Sequence, residues 1–287
     1  MIKYNPKSWF KLIFALHKSD TIRILWKELI YIGVFTLGIA YIEIELLETS
    51  KMLGNLISVY SLIGFVISLL LVFRTNTAYD RWWEGRKRWG CLVNDTRNFA
   101  IKIDTLSKNE SDRAFFRRMI PNFVIATKEH LRDGVRIEEL DLKEEGAHIA
   151  SKDHIPAAIV NEMYKRLQNL KQSGEINEAE YLTLDHNLNA FLDSLGACER
   201  IKNTPIPFSY SLFLKKFIFI YVITMPLAFV VSFGYWSALI ATFMFYALVS
   251  MEVLAEEIED PFGTDDNDLP TDQICENIRR NTSEIIA

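Results

Sequence analysis

Between Glu252 and Asp272 the chain carries nine carboxylates and no base: Glu252, Glu256, Glu257, Glu259, Asp260, Asp265, Asp266, Asp268 and Asp272. A run of acids is ordinarily a solvated segment, but Pro261, Phe262, Gly263 and Pro270 punctuate this one as a loop of fixed shape. Spaced carboxylates with backbone carbonyls are what a hard cation such as Ca²⁺ requires. The acids do not follow the D-x-[DN]-x-[DN]-G spacing of an EF-hand. Like charges at this density repel, so order calls for bound cations, backbone donors or basic partners, for which residues 1–18 and 74–88 are candidates. Other reactive groups are dispersed. Cys91, Cys198 and Cys275 make no C-x-x-C pair, and His17, His130, His148, His154 and His186 make no H-x-x-x-H pair and no evident triad with a nucleophile. Neither a thiolate zinc site nor an enzyme's catalytic constellation is expected.

A second chemistry needs no reactive group. Phe65, Leu69 and Phe73 stand at i, i+4 and i+8, one apolar stripe of a helix, while Ser58, Ser61, Gly64 and Ser68 recur at three- and four-residue spacing. Small residues let helices approach closely. The stripe either faces lipid or forms a narrow apolar ring around an axis, which would gate ions by dewetting. Immediately after it, Arg74 to Trp89 interleaves arginines with Trp82, Trp83 and Trp89, the composition of an interfacial anchor.

These residues need elements that hold them. The chain has 287 residues, 49% hydrophobic and 24% charged, and the apolar part is concentrated. Met52–Phe73 is a charge-free stretch long enough, at about 1.5 Å per residue, for the roughly 30 Å hydrocarbon core of a bilayer. Phe217–Met251 is also uncharged and is broken by Phe233-Gly234-Tyr235, which predicts a returning hairpin. Leu29–Ile42, followed by Glu43, Glu45 and Glu48, pairs with the Met52 span as a first crossing. The basic N-terminal stretch lacks a small-residue cleavage site, so it does not read as a signal peptide. Lys and Arg cluster in residues 1–28, 74–102 and 199–216, and only Lys51 lies between the first two spans, which predicts both termini and every long polar segment on the cytoplasmic side.

The polar middle has helical periodicity in Val160, Met163, Tyr164, Leu167 and Leu170 and again in Leu184, Leu188, Phe191, Leu192 and Leu195, with breaks at Gly134, Gly146, Pro156 and Ser173-Gly174. The expectation is an all-α protein with four transmembrane helices and a helical cytosolic region interleaved between two membrane hairpins. Its parts are an N-terminal segment 1–28, a first hairpin 29–74, a cytosolic region 75–211, a second hairpin 212–254 and an acidic loop with C-terminal segment 255–287. A continuous helix over Leu62–Trp89 can join the layers.

The sequence resembles the bestrophins, in particular their bacterial members. The matching residues are Phe73-Arg74-Thr75-Asn76, Tyr79-Asp80-Arg81, Glu84-Gly85-Arg86 and Trp89-Gly90; Cys198-Glu199-Arg200 with Thr204 to Tyr210; and Glu256 to Pro270. The resemblance implies a homopentamer in a lipid bilayer, around one central pore lined by the second membrane helix. It also implies a hydrophobic neck at Phe65, Leu69 and Phe73 and a cytosolic aperture at Ala179, with Ile176 the alternative. In animal members Ca²⁺ sits in a clasp after Pro-Phe-Gly. Here Asp265 and Asp268 match its side-chain positions and Glu257 and Asp260 its carbonyl positions, while Thr264 and Asn267 interrupt the acidic run. No cofactor is required; Ca²⁺ or another cation at the loop is the one candidate.

Glu43, Glu45 and Glu48, with no base from Met52 to Phe73, favour monovalent cations such as Na⁺ as the permeant ion; a chloride channel of the same architecture is the alternative. A secondary transporter would show internal repeats and broken midplane helices, and the two hairpins show no convincing duplication. The net charge of -5 argues against nucleic acid as a partner. The expected location is the inner membrane of a bacterium.

Overall fold

The computed structural model describes residues 21–46 and 56–286. Every regular element among them is helical: α1 (Thr21–Tyr41), α2 (Leu56–Leu106), α3 (Glu110–His130), α4 (Gly146–Ala150), α5 (Ile155–Gln172), α6 (Glu178–Asn203), α7 (Phe208–Thr224), α8 (Pro226–Phe233), α9 (Ser237–Glu259) and α10 (Thr271–Ile285). Three stretches are long and apolar enough to cross a membrane, within Thr21–Leu46, Leu56–Leu106 and Phe208–Glu259. The third is turned at Gly234, whose φ of +53 is a conformation that favours glycine. The chain divides into two compact units: Met1–Arg81 with Pro205–Glu259 and Asp265–Asn267, and Trp82–Thr204 with Asp260–Thr264 and Asp268–Ala287.

In the first unit α1 packs along α9, and α7 also packs against α9. Ile67 and Leu71 of α2 are buried with Leu214, Ile218, Tyr221, Val222, Met225 and Leu248. Gly64 is held close to α7: a Cβ there would stand 2.8 Å from Tyr221 Oη. Tyr210 Oη donates to the Leu70 carbonyl at 3.0 Å.

The second unit is built around α3. That helix is buried on nearly every side from Phe115 to Glu129, as expected for the centre of a bundle. Phe99 of α2 meets Phe116 and Phe191 edge-on, and Phe191 stacks on Phe123. Both periodic stripes of the polar middle turn inward: Val160, Met163, Leu167 and Leu170 of α5 and Leu184, Leu188, Phe191 and Leu195 of α6 are buried. Asn177 and Glu180 form a reciprocal capping box at the start of α6, and Gly134 and Gly174 take positive φ at the ends of α3 and α5.

Several boundaries differ from the sequence expectation. Helix α1 begins at Thr21, inside the segment assigned to residues 1–28, of which 1–20 lie outside the described residues. Helix α2 has no proline and runs unbroken for 51 residues, about 75 Å at 1.5 Å per residue, and the division between the two compact units falls within it, after Arg81. Helix α7 starts at Phe208, behind Pro207. The last apolar helix continues to Glu259, five residues into the expected acidic loop, because Pro261 is the first breaker it meets and its terminal acids have partners.

Candidate ion pathway

The α2 stripe is an apolar face left uncovered in the protomer. Phe65, Leu69 and Phe73 are 65%, 45% and 58% exposed, whereas Ile67 and Leu71 on the opposite face are at 0% and 3%. Leu62, Val66 and Val72 widen the exposed face. Ser68 Oγ turns back to the Gly64 carbonyl at 2.8 Å, which satisfies its hydroxyl within the helix.

Directly below the stripe, on the inward side of α2, Arg74 is only 1% exposed. Its guanidinium donates to Glu259 at 2.6 Å and lies 3.7 Å from Glu252. The other oxygen of Glu259 accepts the Ile206 amide at 2.7 Å, and the Glu259 carbonyl accepts Arg81 Nε at 3.0 Å. Three segments distant in sequence, the α2 boundary, the Thr204–Phe208 link and the end of α9, are thus tied by one carboxylate. Arg74 is a buried latch and not the interfacial anchor its composition suggested, because an arginine at this depth needs a paired, hydrogen-bonded charge. Lys215 pairs with Glu256 at 2.5 Å. Of the candidate bases in 74–88, Arg74 and Arg81 engage this acidic segment, Lys215 lies outside that range, and the bases of 1–18 lie outside the described residues.

The remaining motif residues meet in the second unit. A Cβ on Gly85 would approach the side chains of Pro261 and Phe262 to 3.1 Å, so any larger residue would press the Pro-Phe-Gly turn back from α2 by a few tenths of an ångström. Phe262 is 1% exposed, its carbonyl accepts Arg132 Nε, and the Pro261 carbonyl accepts the Leu269 amide at 2.9 Å, closing the loop on itself. Arg200 donates to Glu84 at 2.9 Å. Asp272, at the start of α10, receives a two-toothed contact from Arg132 and a third bond from Lys128. The Arg132 hydrogen bonds hold the Asp272 carboxyl well below the usual carboxylate range.

Of the clasp residues, Glu257 accepts Asn267 Nδ2 at 2.7 Å and Asp260 accepts Lys202 Nζ at 2.5 Å. Asp268 is 2% exposed, and a Cβ at Gly263 would stand 2.7 Å from its Oδ2. Among the described residues no three carboxylates of this loop converge as a metal set. The side chains of Glu257 and Asp260 are therefore engaged with an amide and an ammonium donor within the protein.

Ala179 is exposed on the first turn of α6, and Leu182, three residues on, is 57% exposed. Ile176, the alternative aperture residue, is 2% exposed within the core, so its side chain is spent on packing. The acids after α1 are also placed differently from the expectation. Glu43 is 7% exposed, and Glu45 accepts Tyr235 Oη at 3.2 Å; Glu48 lies outside the described residues.

Sequence reading missed two features. One is the Arg74–Glu259–Ile206 junction, since nothing in the linear order pairs those segments. The other is a convergence of histidines set apart as dispersed: His130 and His154 both reach Glu199.

Residues 1–284 match the family described as Bacterial/Fungal Bestrophin protein, and the chain belongs to that family of membrane proteins. The voltage-dependent anion channel-forming protein of Nostoc sp. is 34% identical to it over 97% of this chain and 92% of its own length. That of Escherichia coli named YneE is 32% identical over 96% of this chain and 90% of its own length. A crystal structure of a bacterial bestrophin homologue from Klebsiella pneumoniae superposes with a TM-score of 0.83 at 26% identity, covering 91% of this chain and 98% of that one.

Proposed function

We propose that this chain is an ion channel rather than an enzyme or a coupled transporter. It assembles as a homopentamer in which α2 from each copy lines one pore. The observation that carries the reading is the exposed Phe65–Leu69–Phe73 stripe: three large apolar residues turned away from the protomer's own core, above an arginine held by two acids. Repeated around an axis, they make a hydrophobic neck about 12 Å long, from the eight steps between Phe65 and Phe73 at 1.5 Å rise. Ala179 is the aperture residue of this reading, and both termini are cytoplasmic.

The permeant ion is an anion. Cation preference rested on Glu43, Glu45 and Glu48, and of the two that are described Glu43 is buried while Glu45 is exposed with one bond from Tyr235, so the described acids do not form the joint exposed cluster that preference assumed. Along α2 beyond Phe73 the exposed charges are Asp80 against Arg86, Lys87 and Arg97. Phenylalanine rings present a positive edge when turned side-on, which favours anions at a constriction. The names of the relatives from Nostoc and Escherichia coli agree with this reading over the cation one.

Reversal potentials of purified protein in a planar bilayer under asymmetric NaCl test both parts. A reversal potential near the chloride equilibrium value is expected. One near the sodium value would reverse the selectivity and leave the channel standing, and absence of current from intact pentamers would remove the channel.

A further inference from the structure

The second unit closes side chains from three helices on one point. His130 is the last residue of α3, His154 is the N-cap of α5 and Glu199 lies in the final turns of α6. His130 Nε2 and His154 Nε2 are each 2.7 Å from the same oxygen, Glu199 Oε1, and the two rings stand 4.7 Å apart at 41°. Among the described residues this is the one set of three histidine, cysteine or carboxylate ligand atoms within 4.8 Å of one another. The side chains are 30%, 42% and 25% exposed, so an ion can reach them and water can complete its shell.

We propose that His130, His154 and Glu199 bind one divalent transition-metal ion per chain, with Zn²⁺ the preferred metal. Two imidazole nitrogens and one carboxylate oxygen are a borderline nitrogen-and-oxygen set that suits Zn²⁺ and excludes the all-oxygen preference of Ca²⁺ or Mg²⁺. Tetrahedral ligands at about 2.0–2.2 Å from zinc lie roughly 3.3 Å from one another. Loading therefore opens each 2.7 Å contact by about half an ångström, within reach of side-chain rotation at a partly exposed site.

The protons constrain how the site loads. With no metal, both Nε2–H groups donate to Glu199. His154 is fixed in that tautomer, because its Nδ1 accepts the Ala157 amide at 3.2 Å. To ligate through Nε2, each ring must carry its proton on Nδ1, and His154 must release Ala157, whose amide then turns to water. The ion so bound would tie the end of α3, the start of α5 and α6 together. On α6 it would sit beside Arg200, which holds Glu84 of α2. It is a cross-brace of the second unit, independent of which ion the pore conducts.

The test uses full-length protein in detergent, with any affinity tag removed and metals stripped by a chelator. On titration, one Co²⁺ per chain is expected, with the visible absorption of a four- or five-coordinate site that equimolar Zn²⁺ abolishes. His154→Asn keeps an N-cap acceptor for Ala157 while deleting the imidazole, and Glu199→Gln keeps an acceptor while deleting the charge. Each should weaken binding about tenfold or more, whereas His148→Gln on the exposed surface should not. X-ray absorption of the zinc-loaded wild type should show two imidazoles per ion, a readout that stands even if a variant fails to fold. Substoichiometric Co²⁺, a spectrum without imidazole scattering, or unchanged affinity in both His154→Asn and Glu199→Gln would overturn the proposal.

Discussion

Replacing Phe65, Leu69 and Phe73 together by alanine separates a gating neck from a lipid-facing stripe. These side chains are 65%, 45% and 58% exposed in the protomer, so about half of each is already outside its packing. Full burial of a Phe or Leu is worth about 1.5–3 kcal/mol, so truncation removes about 1 kcal/mol per site from the protomer. Alanine returns up to about 0.7 kcal/mol of helix propensity relative to Phe, leaving a small net cost. The protomer should thus fold and assemble. The pore should change far more, because an apolar constriction closes by expelling water, and alanine both widens and wets it. Lowering the barrier by about 1.4 kcal/mol gives about a tenfold larger current at fixed voltage and salt. Single replacements should give graded increases, the largest at the narrowest ring. The assay is bilayer recording on protein whose pentameric state has been checked by native mass measurement. Unchanged current from an assembled triple variant would refute the neck and place the stripe against lipid.

Other perturbations read different parts of the molecule. Arg74→Gln leaves the buried Glu252 and the partly buried Glu259 without their cation and should cost about 3 kcal/mol, seen as a fall in the thermal aggregation midpoint in detergent. Glu259→Gln keeps an acceptor for Ile206 and should be milder; the reverse order would contradict the latch. For Asp272→Asn, the exposed position of the carboxylate limits the loss at pH 7 to about 1–2 kcal/mol. Because its folded-state pKa is depressed, the Asp272 contribution is fully present above the unfolded value of about 3.9 and fades as pH falls toward the folded value. Melting curves of variant and wild type should therefore converge in acid; a constant gap would mean that the charge is not responsible. Burial pushes the Cys198 and Cys275 thiols up to about 12, while Cys91 is exposed. A maleimide at neutral pH should label Cys91 alone in the folded protein, as peptide mapping will show. Current should be unchanged between chelator and micromolar Ca²⁺, since Thr264 and Asn267 interrupt the acidic run of the clasp; a several-fold reversible response lost in Asp268→Ala would show the loop to be a calcium sensor.

The spans, the Gly234 turn, the helical middle and the family resemblance were legible in the sequence because each depends on local order. Charge-free length, glycine conformation and 3.6-residue periodicity are properties of contiguous residues. The stripe on α2 was visible for the same reason, though not which of its neighbours would be buried: Ile67 and Leu71 face α7 and α9, and that choice belongs to packing. Composition made Arg74 an anchor; only the fold brought Glu259 and the Ile206 amide to it from the far end of the chain. Equally, the resemblance placed the aperture at Ala179 with Ile176 as the alternative, and the turn into α6 buries Ile176 and exposes Ala179. His130, His154 and Glu199 lie on three helices with no shared spacing, so linear inspection reads them as isolated. Their convergence exists only once α3, α5 and α6 pack, because a ligand set assembled from separate elements has no local signature to read.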